Sequence, residues 1–368
     1  MKFKRSVKCS TKFATEHKSQ QLSNIIAEYG RVCNFFIQRF WKSGMSSKSK
    51  LLKDIVNLPD TWLSARLRKV AAREAIDMIQ AVKQRWKHNP NKIKMPTHRG
   101  KRMTVSSTIA ALQSSKNITF DAWLHLASIG NKTVIDIPIK YHKQFNKWSS
   151  KGKRLNAYII TKNYVQFVFE IEIKPKKTSG KLLGIDTGIK SLASTSDGKQ
   201  FGKGIERHID KIKRCRHGSK SQKRRRNALK QYINETVKEI INEEPQLIVV
   251  EKLSNLNHKT KLKRRLSKNI RRSLGSWNYR YWLTRLQQAT EENRVSFRSV
   301  PAYYTSQRCS NCGHIERKNR NREVFRCLSC DYNQNADINA ATNILQRFIQ
   351  GPYGALYKPK TLGKNVQV

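Results

Sequence analysis

Acidic residues are scarce in this sequence. Only 25 of its 368 residues are Asp or Glu, against 75 Lys or Arg, so the formal net charge is +50. Self-repulsion of this size disfavours a compact chain unless a polyanion neutralises it. We therefore expect the protein to bind nucleic acid. The hydrophobic content of 38% excludes a chain that is disordered throughout.

The sequence also lacks long apolar runs. Apart from the cysteines of one motif, it has no paired cysteines. No run of about 20 apolar residues could span a bilayer, so we expect no membrane partner. Residues 1–5 have no apolar segment of the secretory type. Of seven cysteines, Cys9, Cys33 and Cys215 lie scattered, and an odd count without a framework indicates a reducing compartment. We expect a cytoplasmic protein.

The period of the apolar residues divides the first half of the chain. Residues 2–8 alternate weakly and predict a strand, whereas residues from about 16 to 80 have helical spacing. Alternation returns between about 100 and 175, with Lys162-Asn163 as a predicted hairpin turn. The sequence thus predicts a β-barrel domain, residues 1–15 and 91–178, with an inserted helical domain, residues 16–90.

The second half of the chain has a different order of elements. A predicted three-strand meander begins near Leu182 and is followed by alternating helices and strands, which is typical of an RNase H-like domain. The fold class is therefore multidomain, α/β and α+β. The predicted boundaries are 179–305 and 332–350 for the RNase H-like domain, 306–331 for a cysteine-containing insertion and 351–368 for a basic tail.

Three acids stand at the ends of predicted elements. Asp186 and Glu251 each close an apolar strand, and Asp337 lies in the first turn of a helix. Each alone has a simple structural explanation, such as a helix cap for Asp337. If the two strands are parallel neighbours and the helix packs beside them, the carboxylates converge and need divalent cations to offset their repulsion. Mg²⁺ or Mn²⁺ suits such oxygen ligands, and two ions would serve phosphodiester hydrolysis.

Four cysteines form two CxxC pairs. Cys309 and Cys312 are separated from Cys327 and Cys330 by 14 residues (Gly313–Arg326). This spacing is close to that of zinc ribbons, and four thiolates leave Zn²⁺ no open position for water. The sequence predicts a structural Zn²⁺ site that holds the loop before Asp337.

Basic residues cluster in two runs and on one predicted helix face. Usually such residues are solvated, but runs that flank Glu251 in the chain are candidates to line a nucleic-acid path. A nearby aromatic group, Trp277 to Trp282, could stack on bases or, more simply, fill a core. The candidate nucleic-acid contacts are Lys211, Arg214, Arg224, Arg225, Arg226, Arg264, Arg265, Arg271 and Arg272 in the runs, and Arg66, Arg73 and Lys83 on the helix face.

These motifs together resemble the TnpB (OrfB) family, which is related to type V CRISPR effectors. The matching stretches are Gly184–Gly188, Val249–Glu251, Val300–Gly313 and Asn335–Ile344. The resemblance implies a RuvC-like, RNA-guided DNA endonuclease of a bacterium or archaeon, associated with the nucleoid, whose catalytic positions are Asp186, Glu251 and Asp337. It further implies a guide RNA from the transposon end, a double-stranded DNA target read at a short adjacent motif, wedge-like and recognition domains before the nuclease, and a monomer on one RNA or a dimer.

Two other functions stay open at this point. An RNA-guided repressor would bind without cutting, although the three acids are intact. An autonomous transposase would use the same site for strand transfer, but the sequence shows no dedicated helix-turn-helix. Asp331 stands where a glycine is frequent in the family, which leaves the three acids untouched.

Overall fold

The computed structural model describes residues 2–46, 48–87, 89, 91, 93–114, 119–252, 272–273 and 275–351. The chain divides into two compact units, Met1–Ile173 and Lys174–Val368. In this described part, no helix combines the length and the apolar character that crossing a membrane requires.

The first unit places three helices between its first and second strands. At the start of α1 (Glu16–Phe40), the Thr15 hydroxyl accepts a hydrogen bond from the Lys18 amide, a typical N-terminal cap. The elements of the first unit, in chain order, are β1 (Lys2–Ser10), α1 (Glu16–Phe40), α2 (Lys53–Asn57), α3 (Ala65–Arg85), β2 (Met103–Ser106), β3 (Ala110–Ser114), β4 (Ala122–Leu126), β5 (Ile135–Ile139), α4 (Lys143–Ser149), β6 (Lys153–Arg154), β7 (Ala157–Ile160) and β8 (Tyr164–Glu172).

Two antiparallel sheets share one core with these helices. One sheet has the order β1-β8-β7-β2 with β6 added to β8, and the other has the order β3-β4-β5. Strands before and after the helices thus pair with each other, as the inserted helical region predicts. The buried cluster runs from Val7 through Phe36 and Ile76 to Phe169. Closure into a barrel, and the division into wedge-like and recognition domains, stay predictions.

A buried carboxylate joins the helices to the sheet. Glu74 on α3 is 7% exposed and accepts hydrogen bonds of 2.8 Å from the Tyr29 hydroxyl and from Arg102. His98 Nε2 lies 3.6 Å from Glu74 Oε1. Burial alone would raise the pKa of Glu74, but these neighbours outweigh it and lower the pKa to about 2. The ionised carboxylate therefore stabilises the fold.

We predict that Glu74→Gln destabilises the first unit at neutral pH. A carboxyl whose pKa falls from 4.5 to about 2 contributes on the order of 3 kcal/mol above pH 5, and this contribution is lost as the pH falls toward 2. Hydrogen exchange of peptides from α1 and α3 measures it. Asp77→Asn, which changes an exposed acid on the same helix, should leave exchange unchanged. Equal exchange in both variants would contradict the prediction.

The second unit is built on a mixed five-stranded sheet. Its elements are β9 (Lys181–Asp186), β10 (Ser191–Thr195), β11 (Gln200–Lys203), α5 (Ile205–Lys213), α6 (Lys220–Asn242), β12 (Pro245–Glu251), α7 (Tyr279–Glu292), β13 (Ser296–Val300), β14 (Arg320–Asn321), β15 (Val324–Arg326), β16 (Asn333–Asn335) and α8 (Ala336–Gln350). The strand order is β11-β10-β9-β12-β13, and β14, β15 and β16 form a small separate sheet.

The meander and its parallel neighbours agree with the sequence prediction. Strands β9, β10 and β11 are antiparallel, whereas β12 is parallel to both β9 and β13. Helix α7 begins at Tyr279. Trp277 and Trp282 are buried in the core with Leu286, so the simpler interpretation of these two tryptophans, core packing, is the correct one.

Helix α8 packs directly on β9 at Gly184. A Cβ built on Gly184 would lie 2.2 Å from the Ala341 carbonyl oxygen and 2.8 Å from the Leu345 amide nitrogen. Both atoms belong to the helix backbone, so a side chain here would push the helix away from the strand. Glycine at this position lets the first turn of α8, which carries Asp337, lie close to the end of β9.

We predict that Gly184→Ala costs about 1–3 kcal/mol of stability, because the clash is with backbone that cannot rotate away. The displaced helix should also slow any reaction that depends on Asp337. Gly275→Ala is the matched control, since a Cβ there meets nothing within 4 Å. Thermal unfolding of the two variants checks the prediction, which fails if both melt like the unaltered chain.

Candidate active site and cysteine cluster

Three carboxylates from three elements lie near one edge of the sheet. Asp186 ends β9, Glu251 ends the parallel neighbour β12, and Asp337 lies in the first turn of α8. Asn335 caps this helix by accepting from the amides of Asp337 and Ile338. A Cβ built on Gly188, just after β9, would lie 4.0 Å from Asp337 Oδ2. The structure therefore brings the three predicted acids into one neighbourhood.

Electrostatics shows that these acids interact. Burial raises the pKa of Asp186 to about 7, and the charges of Glu251 and Asp337 add to the rise. Burial also raises the pKa of Glu251, which a hydrogen bond from the Thr305 hydroxyl and the charges of Arg347 and Arg320 partly offset. Buried carboxyls with raised pKa values would be stabilised in their ionised form by additional positive charge. The oxygen donors present fit a hard divalent cation.

Arg320 is a residue of this site that the sequence analysis missed. Its guanidinium donates to Asp337 Oδ1 at 2.6 Å and lowers the pKa values of Asp186 and Glu251. It comes from β14 in the cysteine-containing segment, where arginines are too frequent for one to stand out. A guanidinium beside three carboxylates can balance their charge or bind a phosphate.

We predict that Arg320→Ala slows any reaction that depends on the three carboxylates and moves the acid limb of its pH profile to higher pH. Removing the cation raises the pKa of Asp186 and Glu251 further, so a higher pH is needed to ionise the site. Single-turnover rates between pH 6 and 9 measure the shift. Arg317→Ala, an exposed arginine three residues earlier, should leave the profile in place. An unshifted profile for Arg320→Ala would contradict this role.

A row of polar side chains on α8 holds the loop beside the carboxylates. Asn339, Asn343 and Arg347 are four residues apart, so they share one helix face, and all are buried. Asn343 Nδ2 donates to the Thr305 carbonyl at 3.0 Å, and Arg347 Nη2 donates to the Tyr303 carbonyl at 2.7 Å. These three residues could have been predicted from the sequence, because an otherwise apolar helix carries Asn at positions i and i+4 and Arg at position i+8.

The four cysteines of the two CxxC pairs form one cluster. Their sulfur atoms all lie within 4.8 Å of one another. Cys309 and Cys330 sulfurs are 3.8 Å apart, and those of Cys312 and Cys327 are 3.5 Å apart. A tetrahedron with Zn–S bonds of about 2.3 Å has sulfurs about 3.8 Å apart. The cluster is therefore compatible with a zinc site, as the spacing predicts.

The predicted basic contacts fall on several surfaces. Arg66 and Lys83 are exposed on α3, and Arg73 is half-buried on the same helix. Lys211 and Arg214 are exposed at the end of α5, where Arg272 donates to the Lys213 carbonyl at 3.3 Å. Arg224, Arg225 and Arg226 are exposed on α6. Arg264, Arg265 and Arg271, and the tail beyond residue 351, lie outside the described residues.

Comparison with known proteins shows that part of this chain, including the cysteine cluster, is similar to TnpB-like and Cas12f proteins. Residues 279–344 match the family model described as "Cas12f1-like, TNB domain". The resemblance found in the sequence is thereby confirmed, and it is supported by named relatives of both kinds.

Three curated relatives illustrate the relationship. The CRISPR-associated endodeoxyribonuclease Cas12f1 of Sulfoacidibacillus thermotolerans is 40% identical over 74 residues, 20% of this chain and 18% of that protein. The putative RNA-guided DNA endonuclease InsQ of Escherichia coli (strain K12) is 28% identical over 215 residues, 50% of this chain and 53% of that protein. The TnpB-like protein aq_aa05 of Aquifex aeolicus (strain VF5) is 28% identical over 114 residues, 30% of this chain and 36% of that protein. The matched segments thus span about half or less of these relatives.

Solved structures with a similar fold are type V effectors. The chain aligns with the Cas12f1 chain of a complex with sgRNA and target DNA at a TM-score of 0.59 and 13% identity, covering 90% of this chain and 83% of that one. The mini-RNA-guided endonuclease CRISPR-Cas_phi3 also aligns at 0.59, with 9% identity and coverage of 94% and 92%. These similarities establish a shared mixed α/β fold.

Proposed function

We propose that this protein is an RNA-guided DNA endonuclease with a RuvC-like, RNase H-type site. The observation that carries the proposal is the meeting of Asp186, Glu251 and Asp337 at one sheet edge, where burial and mutual repulsion raise the pKa of Asp186 to about 7. The relatives named above as RNA-guided endonucleases support it. The net charge of +50 suits a guide RNA and a double-stranded DNA target as partners.

The three carboxylates would hold two Mg²⁺ or Mn²⁺ ions. These cations would supply positive charge at both the attacking and the leaving oxygen of the phosphodiester. The Thr305 hydroxyl fixes the orientation of Glu251. Arg320 lies against Asp337 and can turn to a phosphate oxygen once cations neutralise the acids. The cysteine cluster would bind structural Zn²⁺ and hold the segment that carries Arg320.

The remaining assignments belong to this proposal. Residues 179–305 and 332–350 would form the nuclease domain, and the first unit would provide the wedge-like and recognition domains that read a short motif beside the target. The exposed arginines and lysines of α3, α5 and α6 would contact phosphates, which give affinity and salt dependence rather than sequence preference. One chain on one RNA is the expected assembly.

The test begins with the RNA that the protein carries. The gene is expressed with its downstream DNA, the protein is purified in high salt, and bound RNA is sequenced. We expect one discrete RNA, whose end defines a target that the complex cuts only with Mg²⁺ or Mn²⁺. A heterogeneous mixture of RNA that high salt removes, with no guided cutting, would refute the guide.

A further inference from the structure

We propose that Tyr303 forms a stacking subsite for a base of the single-stranded DNA that enters the candidate active site. This inference rests on the proposed function and adds to it a binding position for the substrate strand. Tyr303 lies in the loop between β13 and the cysteine cluster, three residues after Val300.

The ring is exposed although it is large and aromatic. Tyr303 is 51% exposed, more than Phe13 and Phe348, each 38% exposed, which are the other aromatic side chains among the exposed large hydrophobics of the described chain. Proteins that bind single strands place exposed aromatic rings among cations, because every base offers a face for stacking. This chain has 75 Lys and Arg side chains against 25 Asp and Glu, so cationic side chains are abundant.

A buried arginine fixes the position of the ring. The Arg347 guanidinium is 4.3 Å from the centroid of the Tyr303 ring, and Arg347 is only 2% exposed. The same guanidinium donates to the carbonyls of Tyr303 and Pro301. The ring therefore has a cation on one face and its backbone is anchored, while about half of its surface stays open to a ligand. Because Arg347 already contacts the ring, a base that stacks on it should cost less side-chain entropy than stacking on an unconstrained ring.

The anchored ring is tied to the carboxylates. Thr305, two residues later, donates to Glu251 Oε1, and its carbonyl accepts from Asn343 at 3.0 Å. Two residues span at most about 7 Å. Tyr303 thus sits within reach of a base one or two nucleotides from a phosphodiester bound at the carboxylates.

The test uses the full chain with Asp186→Asn, which removes cutting, and short DNA single strands that carry one 2-aminopurine at successive positions. Stacking quenches 2-aminopurine. We expect quenching with Tyr303 and with Tyr303→Phe, and its loss with Tyr303→Ala. DNA affinity should fall about 5- to 150-fold in Tyr303→Ala. An abasic nucleotide at the quenched position should remove this difference between the variants.

Ile349→Ala, an exposed apolar residue on α8, is the control and should change neither signal. Equal quenching in all Tyr303 variants would overturn the subsite, as would a Tyr303-dependent signal from RNA single strands alone. No guide RNA is needed in this measurement. If the RNA-loaded unaltered chain fails to cut its target while Tyr303-dependent quenching persists, the proposed function falls and the stacking subsite stands.

Discussion

Asp186→Asn should reduce target cleavage by about 10³-fold or more while RNA binding is retained. The substitution keeps the size of the side chain and removes one of the three charges that would hold the cations. Single-turnover cleavage with saturating guide and target measures the loss. Asp210→Asn is the matched control, because Asp210 is a half-buried acid on α5 that forms an ion pair with Lys213.

The same variant should become more stable without divalent cations. A carboxyl whose pKa rises from 3.8 to about 7 in the folded chain opposes folding at pH 8, where it must be ionised. Removing the charge removes this penalty, so the melting temperature at pH 8 should rise. The combination of lost cleavage and raised stability separates a cation-binding acid from a structural one. Cleavage that survives in Asp186→Asn would refute the assignment of the site.

Loss of the cysteine cluster should unfold the segment from about residue 308 to 335. This segment has few apolar residues, and structural Zn²⁺ in small domains contributes on the order of 10 kcal/mol to folding. We expect Cys327→Ser, or extraction with a strong chelator, to abolish bound zinc and cleavage together, because Asn335, the cap of α8, ends the last strand of this segment.

Zinc content by atomic emission and hydrogen exchange of residues 308–335 measure the effect. Cys215→Ser is the control, since Cys215 lies elsewhere in the same unit with its thiol against the Lys211 carbonyl. Re-adding zinc should restore cleavage in the chelated protein and not in Cys327→Ser. A chain that keeps its exchange pattern without zinc would show that protein contacts alone hold the segment.

Much of the candidate site could be predicted because its residues follow local rules. Asp186 and Glu251 each end an apolar run, and parallel pairing of two such runs places their ends at one edge. Asp337 follows a capping asparagine. The CxxC spacing specifies a cysteine cluster without knowledge of the fold. In each case, neighbouring residues in the sequence carry the signal.

The parts that sequence reasoning missed depend on contacts between distant residues. Arg320 meets Asp337 across 17 positions, and Thr305 meets Glu251 across 54. In an arginine-rich segment, the sequence does not distinguish the arginine that contacts the carboxylates from those exposed to solvent. Gly184 could not be predicted for the same reason. A side chain is excluded at this position by a helix that lies more than 150 residues later in the sequence.

The capping of α8 links the position of Asp337 to the integrity of the cysteine cluster. Its first turn carries Asp337, and the Ala336 amide donates to the Glu323 carbonyl inside the cysteine-containing segment. Oxidation of the four cysteine thiols would therefore displace Asp337 from the other two carboxylates, whereas the basic surfaces of α3, α5 and α6 would keep their charge. Under the proposed function, a damaged copy would keep its affinity for nucleic acid and lose its cutting activity.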